Sequence, residues 1–217
     1  MPSHLPLFPL NLVLFPGELL PLHIFEPRYR RMLADCLEGD RRFGITPEAS
    51  PGPGALGCVA NIRGAEPLPD GRSNIVVLGE RRFGVRTVLN EGTPYLVAAV
   101  EEFSDESGTG PLPAELEELR RLGSELREAL TVLADQPGVG LGWAEEIELF
   151  SFQVAALVET DLETRTRFLA LRSTRERVRA LIALLPGLVT SAQSRAVVHV
   201  RARSNGAGHH GADIVDG

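Results

Sequence analysis

Hydrophobic and polar positions change their spacing once along the chain, close to residue 105. Before that point, apolar residues come in short runs bounded by Gly, Pro, Asn and Asp, which is typical of strands joined by tight turns. After it, apolar residues recur every three or four positions, which is the spacing of one helix face. The pattern therefore predicts about six short strands and one helix in the first half, and about four helices in the second.

Residues 5–45 predict a strand–helix–strand unit on which the rest of the chain packs. The run Leu19–Phe25 is mostly apolar and lies between turn residues, so we interpret it as a strand buried on both sides. Pro27 follows and suits the first position of a helix, because its missing N–H would be unpaired there anyway. One face of that helix is apolar and consists of Tyr29, Met32, Leu33, Cys36 and Leu37.

The second half begins after a polar stretch and predicts a helical bundle. A helix is expected from about Pro113, and the spacings Thr160-x-x-Glu163 and Ser173-x-x-Glu176 are those of capping boxes, which open helices. Pro186-Gly187 is expected to end the last helix. Beyond it, residues 195–203 alternate enough to predict a short strand or an extended arm, and the remainder has the composition of a disordered tail.

These patterns divide the chain into four predicted parts. They are a β subdomain with one helix at residues 1–104, a linker at 105–111, a helical subdomain at 112–189 and an extended or disordered tail at 190–217. We expect the linker, the loop at 46–56 and the tail to be cut first in limited proteolysis.

The opening string LPLFPLNLVLFPGELLPLHIFEPRYRRML is long and idiosyncratic, and it resembles the start of the substrate-binding domain of the ATP-dependent protease Lon. Weaker similarities follow at Gly57–Ile62 and Gly79–Phe83, and the resemblance covers roughly residues 4–187. It implies an α+β fold with a PUA-like pseudo-β-barrel in the N-terminal half, followed by a C-terminal α-helical bundle. It also implies a bacterial protein made of this domain alone, without the ATPase or protease domains of Lon.

Composition narrows the class of protein further. The 217 residues are 43% hydrophobic, no apolar run approaches the ~18 residues of a membrane span, and the N-terminus lacks the features of a secretory signal, so we expect a cytoplasmic protein. Two cysteines, Cys36 and Cys58, form neither a disulfide framework nor a zinc site, and we interpret both as reduced core residues.

All 22 basic residues are arginine, so this chain contains no lysine. A P-loop lysine, a Ser–Lys dyad and a Schiff-base lysine are therefore excluded within it, and with them the chemistry of the Lon ATPase and protease. The net charge of −7 argues against nucleic acid as a partner, because neutralisation of phosphates supplies most non-specific affinity for it.

Candidate site residues are few. The exposed arginines Arg28 and Arg30 of the first predicted helix, and the pair Arg81-Arg82, could contribute to a binding surface, although a solvated turn is the simpler interpretation of the second pair. His209-His210 is too small a set for a metal site, which usually needs three or four ligands. No G-x-S-x-G or G-x-G-x-x-G motif is present, so we expect no catalytic residue, no metal and no cofactor.

The resemblance implies a non-enzymatic module that binds unfolded or misfolded protein segments. We expect an adaptor or modulator in protein quality control, with Lon or another protease as a further partner and with neither nucleic acid nor a membrane bound. A cleft where barrel and bundle meet would hold the segment. Two alternatives stay open: an RNA-binding PUA-like module, and an enzyme that acts on a small molecule in that cleft.

Overall fold

The computed structural model describes residues 3–134 and 142–206. It contains the expected six strands and one helix, followed by four helices. The strands are β1 (Ser3–Pro9), β2 (Leu19–Ile24), β3 (Arg42–Thr46), β4 (Leu56–Pro67), β5 (Ser73–Leu89) and β6 (Leu96–Phe103). The helices are α1 (Pro27–Glu38), α2 (Pro113–Leu133), α3 (Ile147–Leu157), α4 (Leu162–Ala170) and α5 (Thr174–Gly206). The predicted α+β class is confirmed.

The six strands form one sheet in the order β2-β5-β4-β3-β1-β6, and an additional pairing of β5 with β6 closes it. Five strands therefore form a ring, and β2 is added outside it, against the first part of β5. The 17-residue β5 makes this possible, because its first part pairs with β2 and its second part with β6. Register shifts in β4 and β5 bend the strands as closure requires.

The interior of the ring is apolar and tightly packed. The Phe83 ring lies at its centre, and a Cβ added at Gly44 would come within 2.6 Å of it. Gly57 is equally crowded by the same ring, so both positions require glycine for steric reasons. The buried residues of this core are Leu5, Leu7, Ala55, Val59, Phe83, Val85, Ala98 and Val100.

Helix α1 begins at Pro27 and buries the predicted face. Tyr29, Met32, Leu33 and Cys36 are buried, whereas Leu37 remains 36% exposed. The ring of Tyr29 packs on Phe8 of β1 with 4.2 Å between centroids. The strand–helix–strand unit predicted for residues 5–45 is therefore present, with this helix over one side of the sheet.

The chain folds into two compact units whose boundaries differ from the predicted ones. The first comprises Met1–Pro111 and Trp143–Arg177, and the second Leu112–Gly142 and Val178–Gly217. Helices α3 and α4 thus belong to the unit that contains the sheet, and the predicted helical subdomain at 112–189 is not one unit. In the second unit, α2 and the greater part of α5 are joined by an ion pair between Glu115 and Arg179.

The stretch at 105–111, predicted as a linker, is held by hydrogen bonds. The Glu106 amide donates to the Arg172 carbonyl, and the Arg175 amide donates to Thr109. The Asp105 side chain is only 5% exposed. The polar, glycine-rich composition of this stretch is typical of a linker. Its hydrogen bonds could not be predicted from that composition, because its partners lie far along the sequence.

Helix α5 continues through Pro186 and Gly187, so the predicted helix end there is wrong, and so is the extended arm at 195–203. A proline inside a helix sacrifices one backbone bond, but the buried stripe continues on both sides of it, through Leu185, Val189 and Ala192. The part of the predicted tail beyond residue 206 lies outside the described residues.

Two details of α5 and α4 also correct the sequence reading. By length and composition alone, Thr174–Ala202 in α5 could cross a membrane, although the sequence shows no continuous apolar run there. The core helix of a soluble protein passes the same test.

Helix α4 is capped one residue later than expected, since the Asp161 carboxylate, rather than Thr160, accepts a hydrogen bond from the Thr164 amide at 2.7 Å. At α5, the Ser173 hydroxyl accepts from the Glu176 amide as predicted.

Candidate functional site

The added strand β2 lies at the edge of the sheet and, together with β5, carries exposed apolar side chains. Among the described strands it pairs with β5 alone, in antiparallel register from Leu19↔Leu78 to Ile24↔Ser73. Pro21 lies within it, as expected for an edge strand, since proline has no backbone N–H to donate to a neighbouring strand. β2 is therefore accessible in a way that the ring strands are not.

Alternate residues of β2 point outward, and the cross-strand register brings them together with residues of β5 and β4. Pro21 lies opposite Val76, which lies opposite Gly64; His23 lies opposite Asn74, which lies opposite Glu66. We call this outward surface the β2 face. It consists of Leu19, Pro21 and His23 in β2, of Asn74 and Val76 in β5, and of Gly64 and Glu66 in β4. Phe25, which follows β2, also belongs to it, because its ring stacks on that of His23 with 6.1 Å between the centroids.

The apolar members of the β2 face are open to solvent. Phe25 is 59% exposed, Val76 40% and Leu19 37%. Isolated exposed apolar side chains are normal on a soluble protein, but several on adjacent strands indicate a surface that contacts another molecule. If no molecule bound this surface, an exposed apolar strand at the edge of the sheet would promote aggregation.

The predicted burial of Leu19–Phe25 on both sides is thus wrong. Only Ile24 of this run is fully buried, and exposure alternates along it. An apolar run without a period does not reveal which face is covered. The signal that could have revealed it was the placement of Pro21 and His23 two residues apart, on the same face of a strand.

A groove of about 500 Å³ lies on this surface and is lined by Pro21, His23, Gly64, Glu66, Asn74 and Val76, among others. Its floor is low at Gly64, where an added Cβ would meet nothing within 4 Å. At one end the His23 Nδ1 lies 2.8 Å from the Asn74 Oδ1, so these two polar groups satisfy each other. The groove is therefore apolar along most of its length and polar at one end.

Among the four predicted binding arginines, Arg82 is not on a surface. It is 1% exposed, and its guanidinium donates to the carbonyls of Leu169 and Leu171 at 2.9 and 2.6 Å. It also forms ion pairs with Asp105 at 2.6 Å and Glu148 at 3.2 Å. Arg82 holds β5 to α3 and α4, so its interpretation as a binding residue is wrong.

A second buried arginine completes this cluster. Arg177, at the start of α5, pairs with Asp105 and donates to the Ser151 hydroxyl at 2.8 Å. Burial alone would raise the pKa of Asp105, but hydrogen bonds from Arg177 and Thr174 outweigh it and hold that pKa below its ordinary value. Two guanidinium groups and two carboxylates, those of Asp105 and Glu148, balance in charge, as a buried polar cluster must.

The other three predicted arginines lie on the surface with different partners. The Arg81 side chain is 75% exposed and pairs with Glu102 at 3.1 Å. Arg28 pairs with Glu26 and lies over the Tyr29 ring, 4.5 Å from its centroid. Arg30 is exposed and reaches the turn at Gly71. None of these contacts joins the arginines into one site.

Neither cysteine has the properties of a nucleophile. Burial raises the pKa of Cys36 to about 12, and it raises that of Cys58 further in the same direction. Both thiols are buried and unpaired with each other, as expected. Within residues 3–134 and 142–206, no group of His, Cys, Asp and Glu could hold a metal ion. His209-His210 lies outside the described residues.

The strands, helices and exposed groove define a small α+β module with an accessible apolar surface. The family model of the ATP-dependent protease La (LON) substrate-binding domain matches residues 4–186. The chain belongs to this family.

Known relatives agree with that assignment. The Lon protease of Cytophaga hutchinsonii is 22% identical across 94% of this chain, and Lon protease 2 of Myxococcus xanthus is 27% identical across 85%. The chain spans about a quarter of the length of these relatives, 26% and 24% respectively. The similarity therefore concerns their substrate-binding part rather than their whole activity.

Solved structures show the same fold. A Lon N-terminal domain protein from Xanthomonas campestris superposes with a TM-score of 0.64 and 26% identity, over 85% of this chain and 99% of that one. The N-terminal domain of a Mycobacterium avium complex Lon protease superposes with a TM-score of 0.61 at 16% identity, over 87% and 98% of the two chains.

Proposed function

We propose that this protein binds exposed apolar segments of unfolded or misfolded proteins at the β2 face. The observation that carries the proposal is the solvent exposure of Phe25, Val76 and Leu19 on this face, beside a groove of about 500 Å³. Folded proteins bury such side chains, so a surface of this kind discriminates unfolded from folded chains. Membership of the Lon substrate-binding family supports the same role.

The energetics of this surface suit weak and broad recognition. Burying apolar area contributes roughly 25 cal/mol per Å² without regard to direction, so many apolar sequences can bind. The free edge of β2 adds backbone groups to which an extended segment can hydrogen-bond, although Pro21 removes one donor. Affinity for any one segment is therefore modest.

The same proposal places the protein in protein quality control as an adaptor or modulator, with Lon or another protease as a partner. The absence of lysine from the 217 residues supports a role without ATP hydrolysis or proteolysis by this chain. Two free, buried cysteines support residence in a reducing compartment such as the cytoplasm.

We further propose that the closed ring with β2 added to it is a PUA-like pseudo-barrel. The pairing of β5 with β6, the outlying β2 and the register shifts in β4 and β5 support this description.

Substitution of Val76 tests the binding surface. We expect Val76→Ser to weaken binding of a labelled, permanently unfolded polypeptide by roughly three- to tenfold, because a partly buried valine contributes about 1 kcal/mol. Fluorescence anisotropy titration measures the change. The matched control is Val88→Ser, since Val88 lies on the same strand, is 36% exposed and is not part of the β2 face. Equal affinity of both variants and wild type would contradict the assignment of the surface.

A further inference from the structure

One carboxylate of the β2 face has no partner in the described part of the chain. Glu66 is exposed near the end of β4, and among the described residues no side-chain hydrogen bond or ion pair holds it. Two ion pairs close to this part of the sheet involve other residues: Arg72 pairs with Asp70 at 2.6 Å, and Arg28 pairs with Glu26 at 2.9 Å. Glu66 thus leaves one uncompensated negative charge beside an apolar groove.

The neighbouring polar groups do not use this carboxylate. His23 and Asn74 contact each other, and Arg72 approaches the other ring nitrogen of His23 at 3.5 Å while pairing with Asp70. Glu66 lies opposite Asn74 in the register, at the end of the same row. It is the residue in this row whose charge remains available to a bound molecule.

The spacing of the surface fits an extended segment. Side chains two positions apart in an extended chain point the same way. Gly64 and Glu66 are also two positions apart in β4, and the space above Gly64, beside Val76, is open. If an apolar side chain of the bound segment lies over Gly64 and Val76, the side chain two positions away in that segment therefore lies at Glu66.

We infer that the β2 face prefers extended segments in which a lysine or arginine lies two positions from an apolar residue, and that Glu66 determines this preference by pairing with the cation. The inference rests on the function proposed above and names the substrate class of the same site. The overall charge of −7 acts in the same direction, because it attracts basic segments and repels acidic ones.

The test uses three labelled peptides in which leucine, valine and phenylalanine alternate with serine. The three peptides differ at one position, two residues from the central valine, which is lysine in the first, glutamine in the second and glutamate in the third. Anisotropy titration with the wild-type protein should give an affinity about two- to fivefold higher for the lysine peptide than for the glutamine peptide, as for a single exposed ion pair. The glutamate peptide should bind more weakly than both, and added salt should reduce all these differences.

Two variants and a control isolate the residue. Glu66→Gln should reduce the preference for the lysine peptide over the glutamine peptide at least twofold, and Glu66→Lys should reverse it. Glu48→Gln serves as the control: Glu48 is exposed in the loop after β3, and only its backbone takes part in the hydrogen bonds seen there. It should behave as wild type.

The outcomes separate this inference from the proposed function. In one outcome, all three peptides bind and Val76→Ser weakens their binding, but the protein shows no preference among them, or Glu66→Gln leaves the preference intact. That outcome overturns the role of Glu66 and leaves the proposed function standing. Failure of every peptide to bind overturns both.

Discussion

Arg81 and Arg82 are neighbours on β5 and have opposite surroundings. The Arg81 side chain is 75% exposed, whereas the guanidinium of Arg82 is enclosed by α3, α4 and Asp105. Successive residues of a strand point to opposite faces, so adjacent identical residues can have unrelated roles. Phe83 follows and points into the ring core, which leaves β5 covered on both faces at this point.

Removal of the buried guanidinium should destabilise the protein strongly. We expect Arg82→Met to lower the free energy of unfolding by roughly 3–5 kcal/mol, because Asp105 would lose a buried counter-charge. The matched substitution Arg81→Met should cost less than about 1 kcal/mol, as exposed ion pairs contribute little. Urea denaturation of the two variants measures the difference. Similar midpoints for both would show that Arg82 is not the buried anchor described above.

The sequence showed that this arginine pair stood out, but not what each residue does. The partners of Arg82 are Asp105, Glu148 and two carbonyls near the end of α4, all distant along the chain. No local pattern encodes such contacts. By contrast, the buried face of α1 could be predicted, since helical periodicity depends on near neighbours alone.

At the scale of elements, β2 shows how an apolar run can be misread. The run Leu19–Phe25 has the composition of a core strand, yet β2 lies at an edge with one face open. Composition is the same for a strand covered on two faces and for one that keeps apolar residues exposed for a partner. The distinction depends on which strands close the ring, and closure is set by pairing between β5 and β6.

Two adjacent substitutions in this run should therefore differ. We expect Ile24→Ala to lower stability by about 2–5 kcal/mol, because Ile24 is 1% exposed and a cavity would remain. Phe25→Ala should cost less than about 1 kcal/mol, since Phe25 is 59% exposed. Thermal unfolding followed by circular dichroism compares the two. A large loss for Phe25→Ala would mean that this side chain is part of the core.

Helix α5 illustrates a further limit of local signals. Pro186-Gly187 is a strong local stop, with a cost of about 3 kcal/mol for the proline alone, yet the helix runs to Gly206. The buried positions Leu181, Leu185 and Val189 keep helical spacing across it. Tertiary burial outweighs the local preference here, and propensity read along the chain does not include that term.

For the whole molecule, the sequence predicted the α+β class and the family, both of which are confirmed, and it predicted the number of helices and strands found in residues 3–134 and 142–206. It did not predict how the elements divide into units. Helices α3 and α4 join the sheet through the buried contacts of Arg82 with the Leu169 and Leu171 carbonyls and with Glu148. Domain boundaries drawn from composition follow chain order, whereas these contacts do not.

The measurement that tests the central claim most directly is fluorescence anisotropy of three labelled probes titrated with the wild-type protein. The probes are a permanently unfolded polypeptide, its folded form and a single-stranded RNA. We expect saturable binding of the unfolded polypeptide alone, since only that probe offers apolar segments to the β2 face. Binding of the RNA, or of the folded and unfolded forms with equal affinity, would contradict the central claim.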